Sequence, residues 1–416
     1  MVNTQEKLWT KEFITISFIN FLATIVYFLL LVTIAKYAVS EFNASTSTAG
    51  LASSIFIIGS LFGRLCGGQL LSKLGSKKTL LYGLIGFVIT TFLYFASFNV
   101  GLLLVYRLLQ GIAVGLVGTA TGTIIAQILP VNRRGEGIGY FSLSAILATA
   151  VGPYIGLFLL QTFDSFDTIF IFNAILAVIV LLMFFMVKFP ESLTKPRKAA
   201  AKTTEGTAGG FFSKFVEPRA VPISLVALFV GLAYSGVLSF ISFYTTEIHL
   251  EEVGGNFFLI YAAVVILTRP VTGKLLDSKG ANIIIYPCLL IFAVGMYLFS
   301  STTTSLVFII AAICIGIGYG NFTSVSQAVA VKETPRERMG LATSTFFVLY
   351  DIGLGFGPYV LGKMVPLLGY RTTFAWMVGV IVISLVMYYF LHGKKEAARK
   401  AAVNNGTVAL TDTGDA

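Results

Sequence analysis

The chain has 416 residues, of which 56% are hydrophobic and 12% charged, about half the charged fraction of a soluble domain, so an ordinary soluble fold is excluded. Its net charge of +10 does not argue for nucleic acid, because the basic residues sit between apolar runs, where they act as topology signals. With Phe used 37 times and Gly 41 times, the composition is that of packed transmembrane helices.

Apolar runs of bilayer-crossing length, about 18–25 residues, occupy 13–35, 49–70, 80–98, 102–128, 140–160 and 168–187. A second set follows at 220–244, 255–276, 283–300, 305–331, 341–362 and 373–391. The expected fold is all-α: twelve transmembrane helices in two pseudo-symmetric six-helix bundles, 1–187 and 220–391. The first span has no small-residue cleavage site behind a short apolar stretch, so it reads as a retained helix rather than a signal peptide. Cys66, Cys288 and Cys314 all lie inside apolar runs, which argues against a disulfide framework.

Lys and Arg fall almost entirely on one side of these spans. The turns with Lys73, Lys77 and Lys78, with Arg133 and Arg134, and with Lys332, Arg336 and Arg338 share that side with both termini and the linker. The opposite side receives only Lys36, Lys363 and Arg371. By the positive-inside rule both termini are cytoplasmic. The linker, 188–219, is polar, basic and Gly-rich, hence flexible and suited to anionic lipid, with Phe211-Phe212 marking a short interfacial helix. The tail, 392–416, is charged and then poor in apolar residues, and is expected to be disordered.

The two sets of spans are copies. A gapless shift of 205 positions carries Arg64 onto Arg269, Gly68 onto Gly273, Gly75 onto Gly280, Gly111 onto Gly316 and Gly152-Pro153-Tyr154 onto Gly357-Pro358-Tyr359. Glycines, prolines and arginines held in register over that length make an internal repeat. Gly75 and Gly280 suit a tight cytoplasmic turn. Gly68 and Gly273 are expected to let helices approach closely, and Gly152-Pro153 to break a helical hydrogen bond and bend its span. Gly316, Gly318 and Gly320 superficially match a dinucleotide fingerprint, but no strand precedes them and no acid follows.

A charge inside a membrane costs several kcal/mol unless paired or hydrated, so Arg64, Arg107, Arg269 and Asp351 are the informative residues. Arg107 either faces a cavity, with Gln110, Thr119, Thr123 and Gln127 giving its helix polar character, or snorkels toward the outer headgroups. The cavity reading is preferred. No enzymatic constellation is present: the histidines, His249 and His392, lie in a loop and the tail, no acid pair lies in a span, and no metal or cofactor set is evident.

The order and spacing of several motifs resemble the major facilitator superfamily, specifically its drug:proton antiporter group (DHA1-like, twelve-helix), over nearly the whole chain. Gly68, Lys73, Gly75, Lys77 and Lys78 resemble the signature loop between spans 2 and 3, with Ser72 at the usual acidic position; the second copy supplies Asp277, Lys279 and Gly280. Arg107-Leu-Leu-Gln110-Gly111 resembles the second motif, and Gly152-Pro153 with Gly156 the antiporter motif. The resemblance implies a multi-pass transporter of the bacterial cytoplasmic membrane that is monomeric, coupled to protons and needs no cofactor, with a small-molecule substrate and the lipid bilayer as its partners. Export of a drug or metabolite by antiport is the leading reading and import by proton symport the alternative. Its cavity would be lined from spans 1, 4, 7 and 10 by Asn20, Thr24, Tyr27, Gln110, Thr119, Tyr234, Ser235, Ser239, Tyr319, Asn321, Ser324 and Gln327. That set is neutral, which disfavours polyspecific export of cations.

In the same resemblance spans 2 and 11 touch. Arg64 lies about 12 Å and Asp351 about 15 Å from the cytoplasmic ends of their spans, at 1.5 Å per residue. Three roles stay open for Asp351: an ion pair with Arg64, a proton-carrying carboxyl, or both.

Overall fold

The computed structural model describes residues 8–130, 134–189, 216–334 and 338–398. Linker residues 190–215 with the expected Phe211-Phe212 helix, the loop residues Arg133 and Arg336, and the tail beyond 398 lie outside the described residues. Those described form helices joined by short turns, with no strand among them.

The first six helices are α1 (Lys11–Phe42), α2 (Thr46–Leu74), α3 (Ser76–Phe92), α4 (Val100–Ile128), α5 (Arg134–Phe163) and α6 (Phe166–Met186). There follow α7 (Val221–Glu247), α8 (Glu251–Lys279), α9 (Asn282–Ser300), α10 (Ser305–Lys332) and α11 (Met339–Tyr388). A π-helical turn, Gly316–Gly320, interrupts α10. Gly369, at φ 74 and ψ 167, divides α11 into two arms, 339–368 and 370–388. Among the described residues, ten helical stretches are long and apolar enough to cross a membrane, and Leu147–Phe163 within α5 is a shorter apolar one.

Side-chain caps start the helices where a polar residue precedes an apolar run. Thr10 accepts from the Phe13 N–H, and Asn99 from the Leu102 N–H at 2.9 Å, satisfying donors that have no intrahelical partner.

The chain divides into two compact units, Met1–Glu205 and Gly206–Ala416. In the first, α1 packs on α5, α2 on α4, and α3 on α4 and α6. In the second, α7 packs on α11, α8 on α10, and α9 on α10 and α11. The repeat extends to individual backbone angles. Gly75 and Gly280 both adopt positive φ, at 80 and 78, in the turns after α2 and α8. Asp164 and Gly369, also 205 positions apart, do the same at 45 and 74. Asn99 and Thr304, the N-caps of α4 and α10, are a third matched pair.

Close helix approach is real but falls on other glycines than Gly68 and Gly273. Both of those are exposed and a Cβ there would touch nothing within 4 Å. A Cβ on Gly59 or Gly63 of α2 would meet the carbonyl oxygen of Leu108 or Ile112, and one on Gly111 or Gly115 of α4 that of Phe56 or Ser60. Small residues at four-residue spacing on both helices bring the backbones into contact. Gly152 packs on α1 of its own unit, where a Cβ would lie 2.8 Å from the Ile25 carbonyl. Pro153 and Pro358 stand inside α5 and α11.

The tail reading also changes. Beyond α11 the chain stays helical to Ala398. The Glu396 carboxylate accepts from the backbone N–H groups of Ala281 at 2.8 Å and Asn282 at 3.0 Å. The Asn282 amide donates to the Gly393 carbonyl, and Tyr388 donates to the Asn282 side-chain oxygen. Disorder therefore fails as a description of 392–398, because an acid at the start of α9 meets unsatisfied N–H donors and the positive helix end.

Candidate functional site

In the first unit the polar centre is Arg107, fully buried on α4. Its Nε donates to the Ala52 carbonyl at 3.0 Å, Nη2 to that of Ser53 at 3.3 Å, and Nη1 to the Gln110 side-chain oxygen at 3.2 Å. The guanidinium also lies 4.8 Å from the centroid of the Phe56 ring, whose other neighbour is the stacked ring of Tyr27. Gln110 accepts from Tyr94 Oη at 2.6 Å and donates to Thr91 Oγ1 at 3.2 Å. Arg107 thus neither snorkels nor faces a cavity. Carbonyls, an amide oxygen and a π face solvate it, and no carboxylate pairs with it among the described residues. Gln110, expected at a substrate surface, is the fully buried hub of this network.

Toward the other end of α4, Thr121 Oγ1 donates to the Asn20 side-chain oxygen at 3.2 Å, tying α1 to α4. Thr24 bonds the Asn20 carbonyl and Thr119 the Gly115 carbonyl, so both hydroxyls are turned back onto their own helices. Arg64 is exposed on α2.

The second unit gathers tyrosines. Tyr234 of α7 stacks on Tyr319 of α10 with centroids 3.7 Å apart. Tyr261 of α8 lies 5.9 Å from Tyr234 and 6.3 Å from Tyr319. The hydroxyls of Tyr319 and Tyr350 are hydrogen-bonded to each other. The π-helical turn that carries Tyr319 is a feature often found at functional sites. Beside it, Asn321 donates to Thr268 Oγ1 at 2.9 Å and accepts from Thr272 Oγ1 at 3.0 Å. Arg269 is half-buried, and its buried Nη1 has no hydrogen-bond partner. Asp351 is half-buried on α11, directly after Tyr350, and Gln327 is half-buried on α10. Ser239 Oγ is buried without a partner, whereas Ser235 bonds the Leu232 carbonyl and fills the space beside Gly357.

At the signature turns, Lys73 and Lys279 occupy the last turns of α2 and α8, where cations meet the negative helix end. Lys77 Nζ lies 5.5 Å from the Phe189 ring centroid. The side chain of Asp277 lies outside the description.

Sequence reasoning missed Tyr261, Tyr350, Glu217 and Glu396. Glu217, assigned to the linker, is buried, pairs with Arg338 Nε at 2.8 Å and accepts from the Arg219 N–H. Its own N–H donates to Thr345 at 2.9 Å. Subtracting the two repeats would have flagged both tyrosines, since Phe56 and Ala145 stand at their equivalents.

The family profile described as Major Facilitator Superfamily matches residues 16–358 and 287–413. An uncharacterized MFS-type transporter of Methanocaldococcus jannaschii is 26% identical over 386 residues, spanning 92% of this chain and 96% of that one. The staphylopine export protein of Staphylococcus aureus is 23% identical over 375 residues, 87% of this chain and 91% of its own. Among solved structures, the nucleoside transporter NupG superposes with a TM-score of 0.70 at 16% identity, covering 92% of this chain and 99% of that one; at that identity the likeness is one of fold.

Proposed function

The chain belongs to the Major Facilitator Superfamily, and on that premise we propose that it exports a small organic molecule in exchange for protons, by alternating access, within the DHA1-like group. The carrying observation is an asymmetry between two matched units. At the repeat equivalents of Thr91, Tyr94, Arg107 and Gln110 stand Met296, Phe299, Ala312 and Ile315, all apolar. A fold that is stable with apolar residues in one half has no structural need for a buried guanidinium network in the other, so the network serves function. The export protein among the relatives supports the direction.

In this reading α5 and both arms of α11 are spans, which completes twelve, with bundles 1–187 and 220–391, both termini cytoplasmic and the chain monomeric in a bacterial cytoplasmic membrane. The turns at Gly75 and Gly280 gate access, and Asp351 pairs with Arg64, carries the proton, or does both. Purified protein in liposomes, with a pH gradient imposed in either direction, separates the alternatives: substrate moving against the proton flow supports antiport, and movement with it supports symport. Absence of any proton-driven flux would overturn both. Surface labelling of Ala199→Cys, in a variant lacking Cys66, Cys288 and Cys314, tests topology; labelling from outside intact cells would overturn it.

A further inference from the structure

One helix pairing is held in different ways in the two units. In the first, α2 and α4 meet backbone to backbone: a Cβ on Gly111 would run into the Phe56 carbonyl oxygen and one on Gly115 into that of Ser60. In the second, the equivalent seam between α8 and α10 stands wider. A Cβ on Gly316 would lie 3.2 Å from the Tyr261 carbonyl oxygen, and one on Gly320 would meet the side chain of Val265 rather than its backbone. Tyr261 and Val265 are the repeat equivalents of Phe56 and Ser60, so the comparison is residue for residue.

The residues facing the seam account for the gap. Gly59, Gly63 and Gly67 of α2 correspond to Val264, Thr268 and Thr272 of α8, and Leu116 of α4 corresponds to Asn321 of α10. Larger side chains hold the backbones apart, and interhelical hydrogen bonds take over the contact. The Asn321 amide donates to Thr268 Oγ1 at 2.9 Å and accepts from Thr272 Oγ1 at 3.0 Å. It also donates to the Ile317 carbonyl at 2.8 Å, inside the π-helical turn. Such turns are rare within α-helices, and the equivalent stretch of α4 is regular α-helix. Asn321, expected to line a cavity, is instead buried with its amide engaged by three partners. It ties to α8 the turn that carries Tyr319, whose ring stacks on Tyr234 and whose hydroxyl is bonded to Tyr350.

We propose that Asn321 is a positioning residue: its amide fixes the π-helical turn of α10 against α8, and so sets the ring of Tyr319 on Tyr234 and its hydroxyl on Tyr350. The first unit, with its glycine seam, needs no such pin. The assignment holds for either direction of transport.

The test places 3-fluorotyrosine at position 319 of the full-length protein in lipid nanodiscs, and at position 94 in a second sample as a control in the first unit. Fluorine NMR then reads each ring separately. Asn321→Leu, the residue of the first unit, should shift or split the resonance at 319 and leave that at 94 in place. Thr272→Val, which removes one hydroxyl and keeps the volume, should shift the resonance at 319 by less, and Thr272→Ser should return it to the parent position. Melting temperatures show whether each variant is folded. A resonance at 319 unmoved by Asn321→Leu in folded protein would overturn the pin, as would an equal shift at 94, which marks a change spread through the chain. Should Asn321→Leu not fold, the Thr272 variants decide: a resonance at 319 that Thr272→Val leaves unmoved, or that Thr272→Ser does not restore, overturns it.

Discussion

Gln110 receives Arg107 Nη1 and Tyr94 Oη on a single side-chain oxygen, at 3.2 Å and 2.6 Å. That shared acceptor makes Gln110 more costly to lose than the charge it solvates. Gln110→Leu strands a guanidinium N–H, a phenol and Thr91 together, and stranded buried groups cost about 1–3 kcal/mol each. Arg107→Met removes the cation along with its desolvation cost. Gln110→Leu should therefore lower the melting temperature more than Arg107→Met does, and the double variant should be milder than the sum. Equal or reversed ordering by thermal unfolding in detergent would count against the hub.

The glycines give a second contrast. A Cβ at Gly111 runs into the Phe56 carbonyl, whereas one at Gly68 meets nothing. Gly111→Ala should push α2 and α4 apart at about 1–3 kcal/mol. Gly68→Ala should be neutral or gain up to about 1 kcal/mol in helix propensity. Comparable melting temperatures for the two variants would remove the backbone contact as a stabilising feature.

Gly75 is set apart by its backbone rather than its neighbours. At φ 80 and ψ 166, a region essentially confined to glycine, a residue with a side chain pays about 1–3 kcal/mol, in a turn that the gating proposal requires to move. Gly75→Val should abolish transport of a substrate found by efflux from cells while leaving equilibrium binding of that substrate largely intact. Lost binding in a well-folded variant would argue against gating.

Glu396 holds the start of α9 from a segment expected to be disordered. Glu396→Ala should cost about 0.5–2 kcal/mol, as loss of a helix cap does, and should expose the residues after Gly393 to protease. Lys395→Ala, at an exposed neighbouring position, should change neither. A Glu396→Ala melting temperature matching the parent's would dismiss the cap.

These contrasts mark what sequence can carry. Span positions follow from hydropathy, and the turns at Gly75 and Gly280 from their recurrence. The direction in which a polar side chain points does not follow. Gln110 in an apolar helix reads the same whether it lines a cavity or solvates an arginine, because both satisfy it. Tyr261 and Tyr350 read as ordinary aromatics unless the two repeats are compared, and only the fold brings them together with Tyr234 and Tyr319. Glu396 is a lone acid in a basic tail, and only the fold sets it beside free N–H groups.

Asp351 carries the sharpest test, since its proposed roles give opposite outcomes. If it chiefly pairs with Arg64, Asp351→Asn leaves a guanidinium uncompensated within a span, where an unpaired charge costs several kcal/mol. Each single variant should then be less stable, and Arg64→Gln with Asp351→Asn should recover part of the loss. If Asp351 carries the proton, Asp351→Asn should stay folded and bind substrate, keep exchange, and lose flux driven by a pH gradient. The double variant would then be no better than the single one. Two features of the sequence favour the pair: the depths of the two residues agree, and the first half has Ile146 where the second has Asp351. The acid thus broke the repeat on the span expected to face Arg64. An Asp351→Asn melting temperature equal to the parent's would overturn the pair and leave the proton role standing.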